Sequence, residues 1–304
     1  MSGLAIEQSE VCAVVVTYFP KSGCVANLAA LAPQVGKVII VDNGSDPESL
    51  GPIEAAAQRL GATVMRQGSN LGIATALNTG LRLAREQGFH WLATFDQDSQ
   101  ATPGMIEEMA RAFESYPQQE RVAIVTPCHV DRRLGFTVRD RGGEAKGEGW
   151  RIIPSTMTSG NLLNVAVATA VGGFDDSLFI DYVDHELCLR LRRQGYRILE
   201  ATRAVLRHSL GSMERRLFLF KRVTITNHAV VRRYYMSRNR LIVWRRYWKH
   251  EPIWVIRDIR RFLFETLYVV LYEKQVREKF QMILRGLRDG FRNVRGAFDP
   301  GKNT

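Results

Sequence analysis

A chain of 304 residues with 45% apolar and 24% charged side chains fits one large or two small globular domains and excludes a disordered or fibrous protein. Its net charge of +11 is unevenly placed: residues 201–304 carry 24 Lys/Arg against 8 Asp/Glu, the first 200 only 18 against 23. A mildly acidic body with a basic tail implies that the tail meets something anionic.

The four cysteines, Cys12, Cys24, Cys128 and Cys188, are scattered without paired spacing. They read as reduced cytosolic thiols rather than a disulfide framework or zinc site. The polar first residues show no signal peptide, and no run approaches the roughly 18 apolar residues of a membrane-spanning helix.

In chain order, residues 11–18 form an unbroken, largely β-branched run, expected of a strand buried on both faces. A helix is expected around 25–31, a strand over 37–41, a helix over 52–60 and a strand over 62–66. A helix over 73–86 and a strand over 91–95 follow. Strands alternating with helices predict a parallel sheet, whose ligands sit at the carboxyl ends of the strands. Asp42, Asp96 and Asp98 all fall at such ends. The first turn, Thr17-Tyr18-Phe19-Pro20 with only Gly23 nearby, lacks the Gly-x-Gly-x-x-Gly of a dinucleotide-binding fold. That argues against a dehydrogenase.

Asp96-Gln97-Asp98 places two carboxylates one residue apart at a strand end, where side chains two apart point the same way. They suit one hard cation, since Mg²⁺ takes one or two carboxylates plus phosphate oxygens; a solvated Asp turn is the plainer reading. Asp42-Asn43-Gly44-Ser45 is turn chemistry with or without a ligand. Asn70, Gly72 and Asn78 line the start of the next helix, whose amide end favours phosphate, or else they cap and pack it. Asp181, Asp184 and Glu186 surround a helix start; an N-cap explains one carboxylate but not three. His208 closes another apolar run.

The tail mixes Arg with Tyr and Trp from 232 to 254. Ile253, Ile256, Ile259, Leu263, Leu267 and Val270 then recur at helical spacing, as do Val276, Phe280, Ile283, Leu287, Phe291 and Val294. Arg285, Arg288, Arg292 and Arg295 form a basic flank. Basic amphipathic helices carrying Trp suit an anionic membrane surface. A helical pair packed on the body with its charged face in solvent is compatible with that. Nucleic-acid binding, which also uses Arg and aromatics, has no recognisable motif here and is not expected.

Taken in order, Val14-Val15-Val16-Thr17-Tyr18, Asp42-Asn43-Gly44-Ser45, Asn70-Leu71-Gly72 with Asn78 and Gly80, Asp96-Gln97-Asp98-Ser99, Ser159-Gly160-Asn161, Gly172-Gly173-Phe174-Asp175, residues 179–190, His208 and Arg233–Asn239 resemble the inverting glycosyltransferases of family 2. With Gln between the aspartates, the likeness is greatest to bacterial rhamnosyltransferases. The resemblance implies an α/β fold of the GT-A type with a mostly parallel central sheet over residues 1–215. Its nucleotide part would be about 10–100 and its acceptor part 101–215, followed by a basic amphipathic helical region over 216–304.

It also implies roles. Asp98 is the main ligand of Mg²⁺ or Mn²⁺, Asp96 reaches the metal or the ribose, and His208 completes the metal or pyrophosphate site. Asp42 accepts the base N3–H, with Thr17, Asn70, Gly72 and Asn78 around the donor nucleotide, and Arg238 reaches the donor diphosphate or the acceptor. Asp184 is the catalytic base and Asp181 the alternative, because Val183 stands where the family commonly has Glu. The donor would be dTDP-L-rhamnose. The acceptor would be a lipid-linked glycan or glycolipid of cell-surface polysaccharide or rhamnolipid synthesis, met at the inner face of the cytoplasmic membrane. The competing readings are a family 2 enzyme using a UDP-hexose or galactofuranose donor, and a non-catalytic membrane- or nucleic-acid-binding module.

Overall fold

The computed structural model of the protein describes residues 6–131, 137–138, 145–208, 214–218, 221–225 and 227–301. In chain order its main elements are β1 (Val11–Thr17), α1 (Gly23–Leu31), β2 (Lys37–Asp42), α2 (Pro47–Leu60), β3 (Thr63–Arg66), α3 (Ile73–Glu86), β4 (Trp91–Asp96), β5 (Gln100–Ala101) and α4 (Met105–Glu114). Then come β6 (Val122–Asp131), β7 (Thr137–Val138), β8 (Ala145–Gly147), β9 (Trp150–Ile153), β10 (Asn161–Asn164), α5 (Val165–Ala170), α6 (Val183–Arg193) and β11 (Arg197–His208). Last are β12 (Glu214–Phe218), β13 (Lys221–Ile225), α7 (Val230–Tyr247), α8 (Pro252–Tyr272) and α9 (Val276–Phe291).

Every residue of β1 is buried, as its unbroken apolar run requires, and the strand lies in the middle of the sheet. The order is β3-β2-β1-β4-β10-β6-β11-β9-β8, with β5 added to β11 and β7 to β6. From β3 to β4 all pairings are parallel. Beyond β4 the sheet is mixed: β10 runs antiparallel to both β4 and β6, whereas β11 is parallel to β6. β1 has β2 on one side and β4 on the other, so the strand order reverses there. Open α/β sheets place ligands at such a switch point. Thr17, Asp42 and Asp96, the last residues of these three strands, mark its rim.

One helix begins earlier than its proline suggested. α2 starts at Pro47, with Asp46 as N-cap accepting from Ser49 N–H at 2.7 Å. An Asp cap followed by Pro at the first helical position is the stronger start signal, and Pro52 is carried inside the helix.

The chain divides into two compact units. The first comprises Met1–Asp176 and Val183–Ser209, the second Ser177–Tyr182 and Leu210–Thr304. A short segment from 177 to 182 thus joins the helical unit. Within that unit α7 and α9 approach closely. A Cβ on Gly286 would stand 2.4 Å from the Tyr234 carbonyl oxygen, and one on Gly290 2.7 Å from that of Arg238, so both positions need glycine. Among the described residues no helix is long and apolar enough to cross a membrane. All four cysteines are buried thiols. Burial pushes the Cys12 and Cys188 thiols up to about 12 and Cys24 to about 11, which leaves them packing groups, not nucleophiles.

Candidate active site

The acidic pair ends β4. Asp96 is the last strand residue, and Asp98 lies in a turn closed by Ser99 N–H donating to the Asp96 carbonyl at 3.1 Å. It is this turn, rather than the pleat of a strand, that brings the second carboxylate round. Just beyond it, β5 pairs with the end of β11, Leu206 opposite Ala101 and Arg207 opposite Gln100. That pairing delivers His208 to the turn. One ligand atom each from Asp96, Asp98 and His208 lie within 4.8 Å of one another, and His208 Nδ1 stands 3.5 Å from Asp98 Oδ1.

The donor set suits a divalent cation. Two carboxylates match Mg²⁺ or Mn²⁺, and an imidazole adds affinity for a transition metal. The Asp98 side chain is 49% exposed, open to an ion arriving from solvent.

Two serines and a histidine that the sequence left without roles hold this cluster. Ser159 Oγ accepts from Asp96 N–H at 3.0 Å and donates to Ser99 Oγ at 2.7 Å. Ser99 Oγ is 2.7 Å from His208 Nδ1, so an unbroken hydrogen-bonded chain runs from the β4 backbone to the histidine ring. The segment carrying Ser159 is strapped to β4 by Thr94 Oγ1 donating to the Thr158 carbonyl and by Gly160 N–H donating to that of Thr94. His129 Nε2 lies 2.7 Å from the Ser159 carbonyl; burial, the larger effect, lowers its pKa. A neutral ring donating there completes the support. Ser159-Gly160-Asn161 was visible as a motif, but its function depends on a contact across 63 residues.

Gln97 links the neighbouring strand ends. Its Oε1 accepts from Tyr18 N–H at 2.8 Å, its Nε2 donates to the Tyr18 carbonyl at 3.1 Å, and its own carbonyl accepts from Asn27. Tyr18 and Phe19, both 44% exposed, stand just past β1 with ring centroids 4.7 Å apart. Phe19 has φ +45°, a conformation rare for a bulky residue, and its N–H is held by Ser45 Oγ at 2.8 Å. Two exposed aromatic rings at the rim are surfaces on which a flat ligand can stack.

Asp42 is 1% exposed. Its carboxylate accepts from Thr17 Oγ1 at 2.9 Å, Ser45 Oγ at 2.6 Å, Ser45 N–H at 2.9 Å and Gly44 N–H at 3.2 Å. Four hydrogen bonds fill the acceptor capacity of a carboxylate, so Thr17 and Asp42 shape the loop here. Gly44 has φ +91°, and a Cβ there would meet Ser69 at 2.7 Å. Asn70 Oδ1 accepts from Asn43 Nδ2 and from Gly72 N–H, and Asn43 Oδ1 accepts from Leu71 N–H. Asn70 and Gly72 thus form the entry to α3. Asn78 is directed elsewhere: its Oδ1 accepts from Phe174 N–H, while Nδ2 donates to the Phe174 carbonyl and Asp176. It clamps the Gly172-Gly173-Phe174 turn instead of lining the helix start.

Asp184 lies in the first turn of α6, half-buried, with Oδ1 accepting from His185 N–H at 2.7 Å. Glu186 is fully buried and pairs with Arg190 at 2.8 Å; Arg190 also donates to the Val171 and Gly173 carbonyls. Glu186 is therefore a packing acid. Asp181 belongs to the second unit, and Arg232 binds its carboxylate through Nε at 3.0 Å and a terminal nitrogen at 2.9 Å. Arg238 is fully buried there as well. It donates to the Leu178 and Gly296 carbonyls and to Asn239 Oδ1, so its donors secure the unit's own backbone.

The family model described as glycosyl transferase family 2 matches residues 21–171. Over 307 aligned positions the chain is 29% identical to the dTDP-rhamnosyl transferase RfbF of Shigella flexneri, covering 95% of this chain and 98% of that one. It is 28% identical over 217 positions to the galactofuranosyltransferase GlfT1 of Mycobacterium tuberculosis, covering 66% of this chain and 71% of the relative. Among solved structures, TarS 1-349 of S. aureus in complex with UDP-GlcNAc superposes with a TM-score of 0.64 at 15% identity, covering 93% of this chain and 81% of that one. The fold is GT-A, and the matched segment carries Asp42, Asp96, Asp98 and Ser159 on the switch-point strands and their loops. Residues 21–171 form a glycosyl transferase family 2 domain, in a chain similar over nearly its whole length to a dTDP-rhamnosyl transferase.

Proposed function

We propose that this glycosyltransferase moves L-rhamnose from dTDP-L-rhamnose to a hydroxyl of a lipid-linked glycan or glycolipid, with inversion, at the inner face of the cytoplasmic membrane. The observation that carries the reading is the convergence of Asp96, Asp98 and His208 at the carboxyl edge of the sheet. Its support for the donor is the near full-length likeness to a dTDP-rhamnosyl transferase.

In this reading Asp98, Asp96 and His208 hold Mg²⁺ or Mn²⁺, which supplies positive charge to offset that of the departing diphosphate. Tyr18 and Phe19 offer the ring faces for the nucleobase, and Gln97 keeps their strand end in register with the metal-binding turn. Ser99 and Ser159 fix the histidine ring. Inversion is one displacement at the anomeric carbon: the acceptor oxygen bonds to that carbon as the diphosphate oxygen leaves. Asp184 takes the acceptor hydroxyl proton, and no covalent intermediate is needed. Asp181 is the weaker base, because Arg232 occupies its oxygens.

Thermal stabilisation by dTDP and by UDP, each with and without Mn²⁺, tests the donor. The expected result is stabilisation by dTDP that requires the metal. A preference for UDP would replace rhamnose with a donor of the kind suggested by the galactofuranosyltransferase relative. Asp98→Ala and Asp184→Asn should stay folded and lose at least about a hundredfold in transfer rate; full activity in either removes its assigned role.

A further inference from the structure

α8 packs inward through Val255 and Val269 and leaves a second apolar stripe facing outward. It contains two acidic residues, Asp258 and Glu265, and both turn inward. Asp258 accepts from Tyr182 Oη at 2.8 Å, Trp244 Nε1 at 2.7 Å and Arg240 Nε at 3.1 Å; Glu265 accepts from Arg240 at 3.0 Å. The outward side is apolar. Ile253 is 65% exposed, Ile256 55%, Leu263 63%, Leu267 40%, Val270 48% and Leu271 50%. At 3.6 residues per turn these positions fall within an arc of about 120°. No acidic residue lies on that arc, while exposed Arg257 and Arg260 lie on it or beside it, Arg260 with its guanidinium 5.8 Å from the Phe264 ring centroid.

We infer that this face of α8 docks on an anionic lipid bilayer, the helix lying in the membrane plane. A stripe of large apolar side chains bordered by arginines matches the boundary between headgroups and acyl chains, and the arginines match anionic headgroups. The inward charges keep the helix from crossing the bilayer, consistent with the lack of any spanning helix among the described residues. A second copy of the chain fits the face poorly, since isologous pairing would bring together two arginine-bordered faces with no acid on either. α9 repeats the pattern on a smaller scale, with Phe280, Leu284 and Phe291 exposed alongside Arg277, Arg288 and Arg292.

The test is sedimentation of the full chain with vesicles of phosphatidylcholine alone or mixed with phosphatidylglycerol, without donor or acceptor. Binding should require the anionic lipid and weaken in high salt. Leu263→Ser/Leu267→Ser should weaken it at least about tenfold, the loss of one to two buried apolar side chains, with the thermal midpoint unchanged. Arg257→Gln/Arg260→Gln should lower the preference for anionic vesicles at least about tenfold, which keeps the inference testable should the first variant misfold. Equal binding of parent and variants would overturn it. So would a concentration-dependent dimer abolished by the leucine variant. Vesicle binding needs no transfer reaction, so failure of the donor assignment and failure of this surface are read separately.

Discussion

Ser159→Ala isolates the hydrogen-bonded chain behind the acidic cluster. The side chain is 2% exposed, and its Oγ makes two hydrogen bonds, from Asp96 N–H and to Ser99 Oγ. Alanine removes one oxygen and leaves almost no cavity, so the cost is polar. An orphaned buried N–H costs about 1–3 kcal/mol, and loss of the bond to Ser99 a further ~0.5–1.5 kcal/mol. The first unit should therefore lose about 2–4 kcal/mol, seen as a lower urea midpoint. The functional consequence is separate. With Ser99 released, the His208 ring loses its fixed orientation, and losing a hydrogen bond that orients a metal-binding side chain typically reduces metal affinity by about 10–100-fold. Mn²⁺ titration followed by electron paramagnetic resonance reads that loss directly, below the temperature at which the variant unfolds. Unchanged Mn²⁺ affinity in a destabilised but folded variant would refute the positioning role and leave Ser159 a packing residue.

Two further predictions concern the helical unit. Asp258→Ala leaves Arg240 (3% exposed), the Tyr182 hydroxyl and the Trp244 indole N–H without their common acceptor; breaking such a buried pair costs about 3–5 kcal/mol. Tryptophan fluorescence during urea unfolding measures it, and a loss below ~1 kcal/mol would contradict the network's role. His228 is held neutral: burial first, then Arg232 and Arg233, push its pKa down to about 3. Its folded pKa lies below the unfolded value near 6.5, so the unfolded chain binds the proton first. Stability from this group is complete above about pH 6.5 and declines as the pH falls towards 3. Thermal midpoints between pH 7 and pH 4 should fall more steeply for the parent than for His228→Gln, and identical slopes would rule the histidine out.

The parts of the site that were legible in the sequence are those written in short stretches. The unbroken apolar run of β1 announced a central strand, and Asp42 and Asp96-Gln97-Asp98 announced their places at strand ends. Family likeness then joined these pieces, and the family model and the near full-length relative agree with it. The polar residues around them were harder to assign. Asn78 and Arg238 have the composition of ligand-binding groups, yet the structure engages one on the Phe174 turn and the other on backbone carbonyls of its own unit. Residue type identifies a hydrogen-bonding group; only the fold supplies its partner.

Over residues 11–95 and in the last two helices, sequence alone located the strands and helices, the start of α2 excepted, because side-chain periodicity is a local property of the backbone. Tertiary structure decided two things. The first is the pairing of β5 with β11, which sets His208 beside Ser99 across 109 positions; strand partners that far apart are chosen by the packing of the whole sheet. The second is the direction of α8. Its apolar spacing was plain, and such a stripe ordinarily faces a core, but Asp258 and Glu265 gain their hydrogen bonds only by turning inward to Arg240. The inward face takes these acids together with Val255 and Val269, and the second apolar stripe is left facing outward.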